Sequence, residues 1–123
     1  STVSGGENGI WRTFSPEKLK DLVSRGNMVF VDVTAEWCLT CQVNKTLVLK
    51  RGKVARVLAR GGMVALRADW TRPDNTIMNY LKSFERSGIP FNVVYGPGAP
   101  DGIILPEILT ERTVLTAIAA AKG

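Results

Sequence analysis

Cys38 and Cys41 stand three positions apart, close behind the apolar run Met28–Val33, and they are the only cysteines in the chain. A buried strand that delivers two closely spaced thiols to the start of a helix limits the fold more than any other feature of the sequence. If a helix starts at about Cys38, Cys41 lies one turn further in on the same face, near enough for the two sulfurs to bond. Free backbone N–H groups and the positive dipole end at the helix start stabilise a thiolate at Cys38. Cys38 is therefore expected to be the attacking nucleophile. Cys41, deeper and less exposed, is expected to resolve the mixed disulfide, so that Cys38–Cys41 is a redox disulfide.

Other uses of two cysteines fit less well. A disulfide closing so short a loop constrains the unfolded chain little. A zinc site needs about four ligands, whereas the chain has no further cysteine and no histidine. The lack of histidine also removes Cys-His and Ser-His nucleophile pairs. Inert core cysteines are disfavoured by the neighbouring polar Thr40 and Gln42. No metal and no cofactor are expected.

The length of 123 residues suits a single domain. Residues 1–9 are small, polar and glycine-rich and read as a linker remnant, leaving 10–123 as the domain; the whole looks cut from a longer protein. The net charge of +5 is spread over predicted helices, for example Lys18, Lys20, Arg51, Lys53, Arg56 and Arg60. Without clustering and interleaved aromatics this does not describe a nucleic-acid surface. No apolar run approaches the roughly 18 residues of a membrane span, so the domain itself is not expected to span a membrane.

Along the chain, Ile10–Thr13 can form a short strand. Ser15 can cap a helix, with Pro16 at its first position, Phe14 stapled to Leu19, and Gly26 ending it. Asn27–Thr34 is expected to be a central strand, because it is apolar almost throughout. Asp32 interrupts it. A carboxyl group there is costly without a purpose or a partner, and a proton shuttle to Cys41 is the expected purpose. The helix from Cys38 to about Lys50 is expected to turn Val43, Leu47 and Val48 inward and to break at Gly52. Helix continues over residues 53–60 and a strand follows over 63–70. Pro73 begins a helix carrying Ile77, Leu81 and Phe84, which Gly88 ends. Phe91–Tyr95 and Ile103–Glu107 read as two strands joined by a Gly/Pro-rich turn. Thr110 caps a last helix with Val114, Leu115 and Ile118. Early βαβ units imply parallel pairing and the last two strands a hairpin. The expected fold is α/β, with a central mixed β-sheet flanked by helices on both faces.

This pattern resembles the thioredoxin fold, through Asp32, Trp37-Cys38-Leu39-Thr40-Cys41 and Ile89-Pro90. The resemblance implies that Pro90 is cis and faces the disulfide, that the backbone at Ile89 pairs with a substrate chain, and that Asp32 is the buried acid. Val31–Asn44, Ala68-Asp69-Trp70-Thr71 and Gly88-Ile89-Pro90 are similar, more specifically, to the C-terminal periplasmic domain of DsbD-type thiol:disulfide interchange proteins, the ScsB branch included. That likeness implies a periplasmic domain of an inner-membrane protein. It would accept electrons from a membrane-embedded domain of the same protein and reduce periplasmic thiol proteins, acting as a monomer. Trp37, Leu39, Thr40, Ile89 and Pro90 would contact the substrate. The family often carries Glu four residues after the second cysteine; here Lys45 stands there, and a cation at that place favours the thiolate.

Glu36 and Asp32 place negative charge near Cys38, which disfavours its thiolate and makes the dithiol a better electron donor. Glu36 and Asp32 thus join the two cysteines as candidate catalytic residues, and a protein-disulfide reductase is expected. A free periplasmic reductase of the cytochrome-maturation type, a dithiol oxidant, and a binding module with vestigial cysteines are the competing readings.

Overall fold

The computed structural model describes residues 9–123, so the linker expected over 1–9 lies, Gly9 apart, outside the described residues. The elements are β1 (Trp11–Thr13), α1 (Pro16–Ser24), β2 (Met28–Thr34), α2 (Leu39–Asn44), a wider π-helical continuation (Lys45–Leu49), α3 (Gly52–Leu58), β3 (Met63–Asp69), α4 (Asn75–Ser83), β4 (Phe91–Gly96), β5 (Ala99–Ile104) and α5 (Glu111–Lys122). The sheet order is β1-β3-β2-β4-β5. β1, β3 and β2 run parallel, and β4 and β5 pair antiparallel. This is the mixed sheet expected from the βαβ pattern and the terminal hairpin, with β2 in its centre.

Alternation along β2 feeds two cores. Val29, Val31 and Val33 pack with Phe14, Leu19, Ile77 and Leu81, which come from α1, α4 and the approach to α1. Phe30 points the other way and packs with Val48, Leu49, Val54, Leu58 and Val114. Helices therefore cover both faces, and the cysteine-bearing helix lies on Phe30's face. Caps fall where side chains can take up free N–H groups. Ser15 accepts from the Lys18 N–H at 3.0 Å, and Thr110 forms a reciprocal box with Thr113.

Three segments differ from expectation. Asp74, whose carboxylate accepts from the Ile77 N–H at 3.0 Å, caps α4, so Pro73 precedes the helix rather than starting it. Glu85, at φ 59°, makes the left-handed exit that the sequence assigns to Gly88. The last strand is Ala99–Ile104 rather than Ile103–Glu107, and the turn shrinks to Pro97-Gly98. Gly98 serves close packing: its N–H donates to the Ala121 carbonyl at 2.7 Å, and a Cβ there would lie 2.7 Å from the Ala120 oxygen. Pro100 is tolerated because β5 is an edge strand.

The difference in the cysteine-bearing helix matters most. Val43 and Leu47 face solvent, while Cys41, Asn44, Val48 and Leu49 point inward. Asn44 causes this. Its amide donates to the Glu107 carbonyl at 2.8 Å and accepts from the Leu109 N–H at 3.0 Å. An inward polar residue rotates its apolar neighbours out, and the wide turn that follows brings Val48 and Leu49 in together. Val43→Ser and Leu47→Ser are accordingly expected to shift stability by less than about 0.5 kcal/mol each. Leu49→Ala should cost about 2–5 kcal/mol. Urea unfolding of the three variants checks both values.

Candidate active site

The cysteine pair sits where β2 hands over to α2. Cys38 is the N-cap of the helix, in extended conformation. Its sulfur accepts the Cys41 N–H at 3.2 Å, and its carbonyl accepts the Gln42 N–H at 3.2 Å. An N-cap sulfur that accepts a helix N–H is placed where a thiolate gains most from the helix end. The two sulfurs form a disulfide with Cα atoms 5.2 Å apart.

Both cysteines are buried, Cys38 at 7% and Cys41 at 3% exposure, so the nucleophile expected at the surface is itself largely covered. Ala35, Cys38 and Cys41 form a small buried cluster, against which Ile89 packs. The Ile89–Pro90 bond is cis and Pro90 is buried. Two segments about fifty residues apart in sequence thus meet at the sulfurs. Trp37 and Leu39 flank the pair and are exposed at 62% and 78%. Thr40 is half-buried on the first turn of α2, and Glu36 is exposed.

The loop before Cys38 is fixed from the end of β3. Trp70 donates its N–H to the Thr34 carbonyl at 2.7 Å. The Glu36 N–H donates to the Thr71 hydroxyl oxygen at 2.9 Å, and the Trp37 indole N–H to the Thr71 carbonyl at 3.1 Å. Thr71 in turn donates its hydroxyl to the Asp69 carboxylate. The Trp37 and Trp70 rings lie 6.5 Å apart. Gln42 closes the other side by donating to the Ala35 carbonyl at 2.9 Å. Asp69, Trp70 and Thr71 have no redox chemistry of their own, so residue type alone gave no reason to place them in the loop's support.

Asp32 is buried on Phe30's face of the sheet, the face that α2 covers. Its cross-strand neighbours are Arg67 on β3 and Asn92 on β4, and both reach it. Arg67 Nε donates to Oδ2 at 3.2 Å, and Asn92 Nδ2 donates to Oδ1 at 2.7 Å. Arg67 also lies over the Trp11 ring at 3.9 Å. Burial pushes the Asp32 carboxyl up from its ordinary value, against the opposing pull of Arg67, Asn92 and Lys45. Arg67 and Asn92 escaped the sequence reading because a single Arg in β3 and a single Asn in β4 look like ordinary strand residues. Lys45, at the position where the resemblance suggests an acid, bears on Asp32 as a favourable charge.

Beside these groups runs an open groove of about 1070 Å³, lined by Thr34, Glu36, Gln42, Lys45 and Arg67 among others. The arrangement as a whole offers a disulfide at a helix start, with Cys38 at the N-cap, Cys41 one turn in, and both residues buried. A buried acid lies on the same side of the sheet, and Trp37, Leu39 and Ile89 give the pair apolar neighbours.

Comparison with known proteins agrees on the architecture. The profile of a family described as thioredoxin-like matches residues 10–97. The C-terminal domain of DsbD from Neisseria meningitidis, in its oxidised form, is similar at a TM-score of 0.68 and 16% identity, over 90% of this chain and 100% of that one. A thioredoxin from Thermus thermophilus gives 0.64 and 24%, over 89% and 83%. Spinach chloroplast thioredoxin f gives 0.65 and 16%, over 98% and 100%. No curated protein sequence matches the chain.

Proposed function

From the premise that the chain belongs to the thioredoxin-like family, we propose that it is a protein-disulfide reductase that relays electrons through Cys38 and Cys41. A thioredoxin fold that carries a CxxC pair implies thiol–disulfide oxidoreductase activity in general; the direction and the partners are the proposal. The observation that carries it is the disulfide at the N-cap of α2 with Ile89 packed against it.

In the reduced domain the Cys38 thiolate attacks a partner disulfide. A Cys38–partner bond forms, and one partner sulfur leaves as a thiolate. The Cys41 thiolate then attacks the Cys38 sulfur, the Cys38–Cys41 bond forms, and the second partner sulfur leaves. Two electrons and two protons pass to the partner in all. Asp32 can take the Cys41 proton in the second step, directly or through water. Trp37, Leu39, Thr40, Ile89 and Pro90 form the surface that meets the partner chain, and Glu36 adds negative charge beside it. A donor dithiol returns the domain to its reduced state.

The similarity of Ala68–Thr71 and Gly88–Pro90 to the DsbD/ScsB pattern, together with the fold shared with a DsbD C-terminal domain, supports a specific setting. There a membrane-embedded domain of the same protein is the donor, periplasmic thiol proteins are the acceptors, and the domain works as a monomer. Among the described residues no helix is long and apolar enough to cross a membrane. The test is equilibration of the domain with glutathione. The expected potential lies near the thioredoxin value of about −270 mV, with insulin disulfides reduced by the dithiol form. A potential near the strong oxidant value of about −120 mV would instead make the domain an oxidant.

A further inference from the structure

Exposed large apolar side chains are concentrated on one part of this surface. Among the described residues they are Trp37, Leu39, Val43, Leu47, Ile104 and Ile108. All except Ile104 lie beside the cysteines, on the helix that carries them, or on the segment that Asn44 clamps to that helix through Glu107 and Leu109. Leu39, Val43 and Leu47 are spaced four apart, so they form one stripe running away from Cys38. They are 78%, 43% and 55% exposed. The apolar surface is therefore continuous with the reacting sulfur, and it extends well beyond what Trp37 and Leu39 alone would supply.

Charge is distributed along the stripe with a polarity. Between residues 38 and 60 the chain carries Lys45, Lys50, Arg51, Lys53, Arg56 and Arg60 and no Asp or Glu. Lys45 bears on buried Asp32, whereas Arg51 and Lys53 are exposed at the far end of the stripe. The helical segment ends at Leu49, roughly 15 Å from Leu39 at 1.5 Å per residue, and Arg51 follows directly, its N–H donating to the Val48 carbonyl at 3.3 Å. The near end is acidic, with Glu36 exposed beside Trp37, and a second exposed acid, Glu107 beside Ile108, lies on the segment that Asn44 holds midway along the helix.

We propose that the protein that exchanges disulfides with Cys38 docks along Leu39, Val43 and Leu47, and that its docking segment is apolar and ends in acidic side chains that meet Arg51 and Lys53. This rests on the reading of Cys38 as the exchange nucleophile, and it adds the chemistry and orientation of the partner. Two observations favour a protein over a lipid surface. The stripe leads directly to the sulfur, so its occupant is presented for exchange. Glu36 at the near end and Glu107 beside the stripe repel an anionic bilayer, whereas a polypeptide can place its acids at the far end alone.

Synthetic peptides test this. Each carries a cysteine in mixed disulfide with 2-nitro-5-thiobenzoate, then apolar residues at alternate positions, then two charged residues about six positions on, an extended span of roughly 18–20 Å. The reduced domain is expected to react about tenfold faster with the Glu peptide than with its Lys counterpart, a preference that fades in 0.5 M salt. Arg51→Glu/Lys53→Glu should reverse the preference. Leu47→Glu should lower about tenfold the ratio of the Glu-peptide rate to the rate with 5,5′-dithiobis(2-nitrobenzoate). Equal rates for both peptides, or a ratio unmoved by Leu47→Glu, overturns the proposal. So does sedimentation with phosphatidylglycerol vesicles that Leu47→Glu abolishes, which would assign the stripe to lipid. Failure to react with the small disulfide is a separate result: it overturns the exchange reading itself and the proposal with it.

Discussion

Cys38→Ser is expected to abolish disulfide exchange, whereas Cys41→Ala is expected to stop it halfway, at a mixed disulfide between Cys38 and the partner. A hydroxyl at position 38 has no accessible anionic form near neutral pH, so the favourable N-cap geometry has nothing to stabilise. Alanine at 41 leaves the attacking sulfur in place and removes only the group that releases the partner. The asymmetry follows from geometry: Cys38 caps α2 through its sulfur, while Cys41 lies within the helix at 3% exposure. The trapped species is read by mass spectrometry after non-reducing separation, and it should dissolve on adding dithiothreitol. Equal trapping by Cys38→Ala and Cys41→Ala would show that the two sulfurs share the role, contrary to this assignment.

Arg67→Met is expected to destabilise the fold by about 3–5 kcal/mol at neutral pH, the usual consequence of removing one partner from a buried ion pair. Arg67 Nε donates to Asp32 at 3.2 Å and stacks on Trp11 as well. The loss should depend on pH with a definite sign. The Asp32 carboxyl is already raised in the folded protein, and Arg67 is among the groups that hold it down. A carboxyl raised on folding contributes stability below its unfolded value, 3.8, and that contribution is lost as pH rises through the folded value. Removing Arg67 raises the folded value further. Arg67→Met should therefore stand nearest the parent protein at about pH 4 and fall behind it as pH increases. Asp32→Asn in the Arg67→Met background should recover most of the loss at pH 7, since it removes the stranded charge. Urea unfolding between pH 4 and pH 8 measures all three. A deficit that does not change with pH would mean that Arg67 acts by packing alone.

This pairing also bears on the direction of electron flow. The expectation of a reductant rests on negative charge from Asp32 and Glu36 near Cys38. Arg67 and Lys45 offset the charge of Asp32 when it ionises. Glu36, exposed at the mouth, is left as the simpler contributor.

The sheet and the pairing of the two cysteines were legible in the sequence because each depends on local signals. β2 is an apolar run that must be central, Ser15-Pro16 and Thr110 announce helix starts, and a CxxC at a strand-to-helix junction leaves little choice of chemistry. What could not be read depends on contacts across the fold. Asn44 looks like a surface residue until Glu107 and Leu109 are seen to use its amide. Its inward turn is what puts Val43 and Leu47 outside. Gly96 and Gly98 read as loop punctuation, yet the end of β4 and the turn after it press against the last turn of α5 there. Arg67 and Asn92 become part of the site only through strand register, which places both opposite Asp32.

Brief alkylation of the reduced domain with limiting iodoacetamide near pH 7, followed by peptide mapping, tells which cysteine is the nucleophile. A nucleophilic Cys38 at the helix start and a shielded Cys41 predict label on Cys38 almost alone. Label shared evenly between the two cysteines, or placed first on Cys41, would contradict the account.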